Sequence, residues 1–276
     1  MITYQDVLDA QKRISPNIVH TPLLRAGALD KKLGCKVYLK AENFQVTGSF
    51  KIRGAVNCIL TLSEDQRKRG ITATSTGNHA QGVACAAKLL GIDAVIVMPE
   101  NCNPVKLANT RSYGAKVILA GTKLAERDAK AAELVKTEGR TFVHPYANDF
   151  VRAGQGTIAL EILEDEPQMD AIVVPIGGGG LISGIATAAK AICPSIRIIG
   201  AEPQGARRYS ISRSEGKPVL LDNVGQTIAD GTRTEEADPE NFEIIEKLVD
   251  DLVSVSDTSI REAMWTMLSD AKLAAE

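Results

Sequence analysis

Short runs of β-branched and aliphatic residues alternate along the chain with longer stretches whose apolar positions recur at helical spacing. The short runs predict strands over 37–40, 94–98, 117–119, 141–144, 172–175, 196–201 and 252–255. The longer stretches predict helices over 81–90, 104–112, 122–138, 155–164, 181–192 and 260–274. Strands that are largely apolar, each followed by a helix, are the pattern of a mostly parallel sheet covered on both faces, so the expected fold class is α/β. Some boundaries carry chemical marks. Ser256 or Asp257 can cap the last helix, and Pro104 stands where a first-turn proline is tolerated. Gly91 and Gly114 each close a helix and lead into a buried strand, a βα rhythm without a fixed repeat.

Composition narrows the class. The 276 residues are 44% apolar and 24% charged, with a formal net charge of −2, which excludes disordered, collagen-like and coiled-coil chains. That balance argues against a dedicated nucleic-acid or anionic-membrane surface. The most apolar stretch, 171–192, is interrupted by Gly177 to Gly180, Ser183 and Lys190 and is too polar to span a bilayer. The amino terminus has no secretory pattern. Cys35, Cys58, Cys85, Cys102 and Cys193 are scattered, with no paired spacing and no histidine nearby in sequence. A reduced, cytoplasmic compartment without structural zinc is expected.

Three segments carry candidate chemistry. In Thr47-Gly48-Ser49-Phe50-Lys51, a lysine beside a bulky apolar residue is open to desolvation, which lowers an amine's pKa and makes it nucleophilic. By itself this segment reads sooner as a turn with a solvated lysine, as most lysines near turns are. In Thr74-Ser75-Thr76-Gly77-Asn78-His79, hydroxyls, an amide and an imidazole gather ahead of a helix, a cradle suited to a carboxylate and richer than capping requires. In Val174-Pro175-Ile176-Gly177-Gly178-Gly179-Gly180-Leu181, an apolar strand meets four glycines and then a helix, so bare backbone can approach a phosphate. No Gly-Lys-Ser/Thr follows and the GxGxxG spacing is absent, which disfavours a nucleotide-binding module. A nucleophilic lysine, a carboxylate cradle and a phosphate cup are together what pyridoxal 5′-phosphate requires of its protein.

At this point the sequence resembles a known family, the β-family (fold type II) pyridoxal-phosphate enzymes, in the group of threonine/serine dehydratases and serine racemases. The markers are Lys40-Ala41-Glu42-Asn43-Phe44-Gln45, Gly48-Ser49-Phe50-Lys51-Ile52-Arg53-Gly54-Ala55, Gly77-Asn78-His79-Ala80-Gln81-Gly82, Ala153-Gly154-Gln155-Gly156-Thr157 and Thr227-Ile228-Ala229-Asp230-Gly231. The resemblance implies two domains, each a mostly parallel, helix-covered twisted sheet of the tryptophan synthase β kind, with the cofactor between them. Residues 1–53 and 146–276 would form the large cofactor-binding domain and 54–145 a small inserted one.

The resemblance further makes Lys51 the Schiff-base lysine and the base at the substrate Cα. Phe50 would pack on the cofactor ring and Asn78 would bond its 3′-oxygen. Gly177, Gly178, Gly179, Gly180 and Leu181 would hold the phosphate. Ser75, Thr76, Asn78 and His79 would meet the substrate, with Thr76 a candidate opposite-face proton donor. The implied activity is elimination of water from L-threonine or L-serine, giving a 2-oxo acid and ammonia. A serine racemase or hydroxyaspartate dehydratase is the alternative within the fold, and a non-catalytic binding remnant the alternative outside it. A homo-oligomer, dimer or tetramer, is implied as well.

Departures from the family pattern qualify this. Family members continue past Ala274-Ala275-Glu276 into a stretch that supplies the residue facing the pyridine nitrogen, so the expectation is that either the large domain is truncated here or the site lacks that partner. Ala201-Glu202-Pro203-Gln204-Gly205-Ala206-Arg207-Arg208 resembles the family's divalent-metal loop with Arg208 in place of an acid, so no metal is expected. Arg127 aligns roughly with an arginine that faces dicarboxylate ligands in serine racemases, and is expected instead to be a solvated residue on a helix face.

Overall fold

A computed structural model describes residues 1–221, 225 and 227–275. The chain divides into two compact units, one of residues 1–4, 20–44 and 156–276 and the other of 5–19 and 45–155. The amino-terminal elements are α1 (Tyr4–Ile14), β1 (Leu23–Arg25), α2 (Gly27–Leu33) and β2 (Tyr38–Lys40). Strands β1 and β2 pair antiparallel, with Leu23 opposite Lys40, a departure from the parallel pairing within the two larger sheets.

The second unit is built from α3 (Lys51–Leu60), α4 (Glu64–Arg69), β3 (Ile71–Thr74), α5 (Asn78–Leu90), β4 (Ala94–Met98), α6 (Pro104–Ser112), β5 (Lys116–Leu119), α7 (Leu124–Glu138) and β6 (Thr141–Phe142). Its sheet is wholly parallel in the order β5-β4-β3-β6. Both central strands are buried along their length. Ile52, Val56 and Ile59 of α3 join Val83 and Ala84 of α5 against Ile71, Ala73, Ile96 and Met98 of the sheet. Gly91 ends α5 in the left-handed conformation and Asn103 caps α6 ahead of Pro104, as the local chemistry requires.

The chain then runs through α8 (Asp149–Asp165), β7 (Ala171–Pro175), α9 (Gly180–Ile192), β8 (Arg197–Pro203), α10 (Arg208–Glu215), α11 (Pro239–Leu248), β9 (Asp251–Val255) and α12 (Asp257–Ser269). Strands β7, β8 and β9 form the first unit's parallel sheet in that order. The Asp250 carboxylate ties its edge, accepting from the Ile198 N–H at 2.7 Å and from Lys190 at 3.0 Å. Ser256 is the cap of α12, accepting from the Ser259 N–H at 3.1 Å.

Two differences from the sequence expectations have physical causes. Strand β3 was hidden by Thr72 and Thr74, polar residues whose burial rests on hydrogen bonds to Val95 O at 2.8 Å and Asp128 Oδ1 at 3.0 Å. The expected division at 53/54 and 145/146 differs from the observed units. Residues 5–19, 45–53 and 146–155 belong with 54–145, because Ile14 joins that unit's core and α3 packs on α5 and on the first turns of α8. Glu276 lies outside the described residues.

Candidate active site

Lys51 is the first residue of α3 and follows the half-buried Phe50. Its amine donates to the Pro145 carbonyl at 2.9 Å and stands 5.3 Å from the Phe50 ring centroid. The residue as a whole is half-buried, but its ammonium end is enclosed, and burial lowers its pKa to about 8. An amine poised there is in part neutral near pH 7, the state in which it attacks a carbonyl. Just upstream, Thr47 Oγ1 and Ser49 Oγ are buried with no hydrogen-bond partner among the described residues.

The 75–79 segment joins β3 to α5, within the same unit as Lys51. Ser75 Oγ accepts from the Gly77 N–H at 3.0 Å and so shapes the turn. Asn78 and His79 open α5, where the first N–H groups of a helix have no partner within it and the dipole favours an anion. Thr76 is exposed. His79 is buried, and its Nε2–H donates to the Val143 carbonyl at 2.9 Å, leaving Nδ1 unprotonated and without a partner among the described residues. Burial, reinforced by the charges of Lys51 and His144, lowers its pKa to about 3. The ring is therefore neutral and committed to the backbone, and what His79 can offer a carboxylate is its N–H at the helix start. Lys106 was not anticipated from the sequence. Its aliphatic stem lies over Gly77, where an added Cβ would stand 2.4 Å from Cδ.

The 177–180 turn lies in the other unit, between β7 and α9. Gly179 has φ +89°, a conformation that favours glycine, and an added Cβ would stand 2.5 Å from the Tyr209 hydroxyl oxygen. Gly180 and Leu181 open α9, whose first N–H groups point out of the helix without intrahelical acceptors. The described residues supply no acceptor for the Gly178 and Gly179 N–H groups either. A turn of bare glycines with unsatisfied donors at a helix start can receive an anion.

Behind that turn, Arg208 is fully buried. Its guanidinium donates to Gly177 O at 2.6 Å, to Ala206 O and Thr232 O at 2.9 Å each, and to Thr234 Oγ1. Glu202, also buried, accepts from the Tyr209 and Ser210 N–H groups at 2.9 and 2.8 Å and so fixes the start of α10. Arg127 corrects one expectation. It is only 8% exposed, a buried residue near the start of α7 and not a solvated one.

Comparison with known proteins places the chain. The family model described as Pyridoxal-phosphate dependent enzyme matches residues 14–276. Over its whole length the chain is 44% identical to the L-threonine ammonia-lyase of Thermotoga maritima, covering 69% of that protein. It is 45% identical to the L-threonine dehydratase catabolic TdcB of Staphylococcus aureus, covering 80% of that one. Among solved structures, maize serine racemase matches 99% of this chain and 83% of its own, with a TM-score of 0.97 and 41% identity. A threonine deaminase from T.th. matches 98% of this chain and 88% of its own, with a TM-score of 0.94 and 40% identity. Matches of this extent, on a fold of helix-covered parallel sheets with an enclosed lysine and a glycine anion turn, establish that the chain belongs to the pyridoxal-phosphate dependent enzymes.

Proposed function

We propose that this protein eliminates water from L-threonine and L-serine, releasing 2-oxobutyrate or pyruvate and ammonia. The observation that carries the reading is Lys51, an enclosed amine held near pKa 8 whose charge acts on His79 at the start of α5. The names of the relatives, threonine ammonia-lyase and threonine dehydratase, supply the substrate class.

The residues present fit the family's cofactor. Lys51 would take the aldehyde, and Gly177, Gly178, Gly179, Gly180 and Leu181 would take the phosphate, since a side chain at Gly179 would meet Tyr209. Phe50 would flank the ring and Asn78 would bond its 3′-oxygen. When bound, pyridoxal phosphate supplies an electron sink that acidifies the substrate Cα–H. Lys51, once released, is the base for that proton, and its lowered pKa matches the task. Ser75, Asn78 and the His79 N–H would hold the substrate carboxylate and orient the Cα–H bond. Overall one water leaves Cα and Cβ, and one is consumed as ammonia departs.

Incubation of the cofactor-loaded protein with L-threonine is expected to release 2-oxobutyrate and ammonia in equal amounts. In Lys51→Ala the rate should fall by about 10²–10⁴ or more. Cofactor uptake without keto acid would instead favour the binding-only reading.

A second reading, serine racemase, is favoured by the exposed Thr76 hydroxyl and by the likeness to maize serine racemase. D-serine formed from L-serine, and lost in Thr76→Ala, would establish it. The burial of Arg127 keeps hydroxyaspartate on the substrate panel. No metal activation is proposed, because the Arg208 guanidinium already serves the oxygens of its loop. A severalfold rise in activity on adding Mg²⁺ would contradict this.

No helix among the described residues is long and apolar enough to cross a membrane. The five cysteines are all free, which supports the proposal of a cytoplasmic setting. A homo-oligomer is proposed on the family resemblance, with the exposed Met264, Trp265 and Leu268 of α12 available to a second copy.

A further inference from the structure

We propose that Arg208, Tyr209 and Asn241 form a clamp on two carbonyls that aims the N–H groups of the 177–180 turn at the cofactor phosphate, an inference that rests on the reading of that turn given above. Arg208 donates to Gly177 O at 2.6 Å. The next carbonyl, Gly178 O, receives the Tyr209 hydroxyl at 2.9 Å and Asn241 Nδ2 at 2.8 Å. Three side-chain donors, each fully buried, thus fall on two successive peptide groups.

The consequence follows from peptide geometry. No peptide bond here is cis, and in a trans peptide the C=O and the following N–H point in opposite directions. Holding Gly177 O turns the Gly178 N–H away from Arg208, and holding Gly178 O turns the Gly179 N–H away from Tyr209 and Asn241. Unheld, a run of four glycines samples many backbone states, including ones that present a carbonyl to the anion. The clamp also accounts for glycine at 179, because an added Cβ would stand 2.5 Å from the Tyr209 hydroxyl oxygen and 2.9 Å from Asn241 Cβ. Its own members are anchored in turn. Arg208 bonds Ala206 O and Thr232 O, and Glu202 holds the Tyr209 N–H. These are positioning residues, acting on the phosphate through the backbone.

The test compares pyridoxal phosphate with pyridoxal, which lacks the phosphate, in titrations of the apoprotein followed by the absorbance of the lysine-bound aldehyde. Arg208→Met is expected to weaken pyridoxal phosphate about tenfold or more and Tyr209→Phe about threefold, with pyridoxal unchanged in both. Losses equal for the two ligands, or no loss for the phosphorylated one, would overturn the clamp. If Arg208→Met does not fold, Tyr209→Phe, which deletes one oxygen, decides by the same criterion. A parent protein that does not prefer pyridoxal phosphate over pyridoxal would overturn the phosphate assignment itself. A parent preference left intact in the variants would overturn only the clamp.

Discussion

Lys51 owes its chemistry to what surrounds it. No acid or base is needed to lower its pKa to about 8; enclosure of the ammonium is the cause. The sign gives a prediction. The rate at which apoprotein takes up pyridoxal phosphate should rise with pH, reach half its maximum near 8 and level off above, as the neutral amine becomes the dominant form. Stopped-flow absorbance checks this, and a midpoint near the ordinary lysine value of 10.5 would refute it. The same shift makes the apo fold gain stability as pH climbs from about 8 to 10.5, where the unfolded chain still holds the proton. His79, with a pKa of about 3, should add no limb to either profile near neutrality. A polar cradle was readable at 74–79, whereas the segment around Lys51 alone favoured a solvated lysine and only the family resemblance singled it out. The neutrality of His79 was not readable, because it depends on burial and on the charge of Lys51, which only the packed fold supplies.

At the level of elements, glycines decide where Lys51 stands. A Cβ at Gly82 of α5 would lie 3.2 Å from the Lys51 carbonyl carbon. A Cβ at Gly154 of α8 would lie 2.7 Å from both Arg53 O and Gly54 Cα. Helix α3 is therefore seated by bare backbone on both neighbours, and Gln155 completes the seat by accepting from the Gly54 N–H at 3.2 Å. Gly154→Ala is expected to cost about 1–3 kcal/mol, read from the urea midpoint, because the obstacle is backbone and cannot swing aside. Unchanged stability would mean that α3 yields easily. The Gly82 and Gly154 motifs were visible in the sequence as family markers, but their reason was not. Helices α3, α10 and α11 were missed altogether. They carry buried polar residues, such as Arg53, Asn57, Arg208 and Asn241, that blur an amphipathic pattern until their partners are known.

For the whole molecule, the proposal of a homo-oligomer predicts a mass in light scattering at a multiple of 29.5 kDa. Trp265, 69% exposed on a helix with no buried residue, is the place to test the contact. Trp265→Glu is expected to shift the mass toward one chain while leaving the far-ultraviolet spectrum unchanged, and a mass unaffected by it would place the interface elsewhere.

The sequence by itself determined the α/β class, the strands and helices whose apolar period is unbroken, and the family, and it singled out Lys51 and the glycine turn as the parts proposed to react and to bind. These are local properties, a periodicity or a motif, and each survives in a linear reading. Tertiary structure alone decided which residues make those parts work. The enclosure that tunes Lys51, the burial that keeps His79 neutral, the seat of Gly54 and Gly154, and the donors from Arg208, Tyr209 and Asn241 that hold Gly177 and Gly178 all join distant stretches of chain. Burial and hydrogen-bond direction exist only once distant segments have packed, and they set the charge and aim of groups whose identity is local.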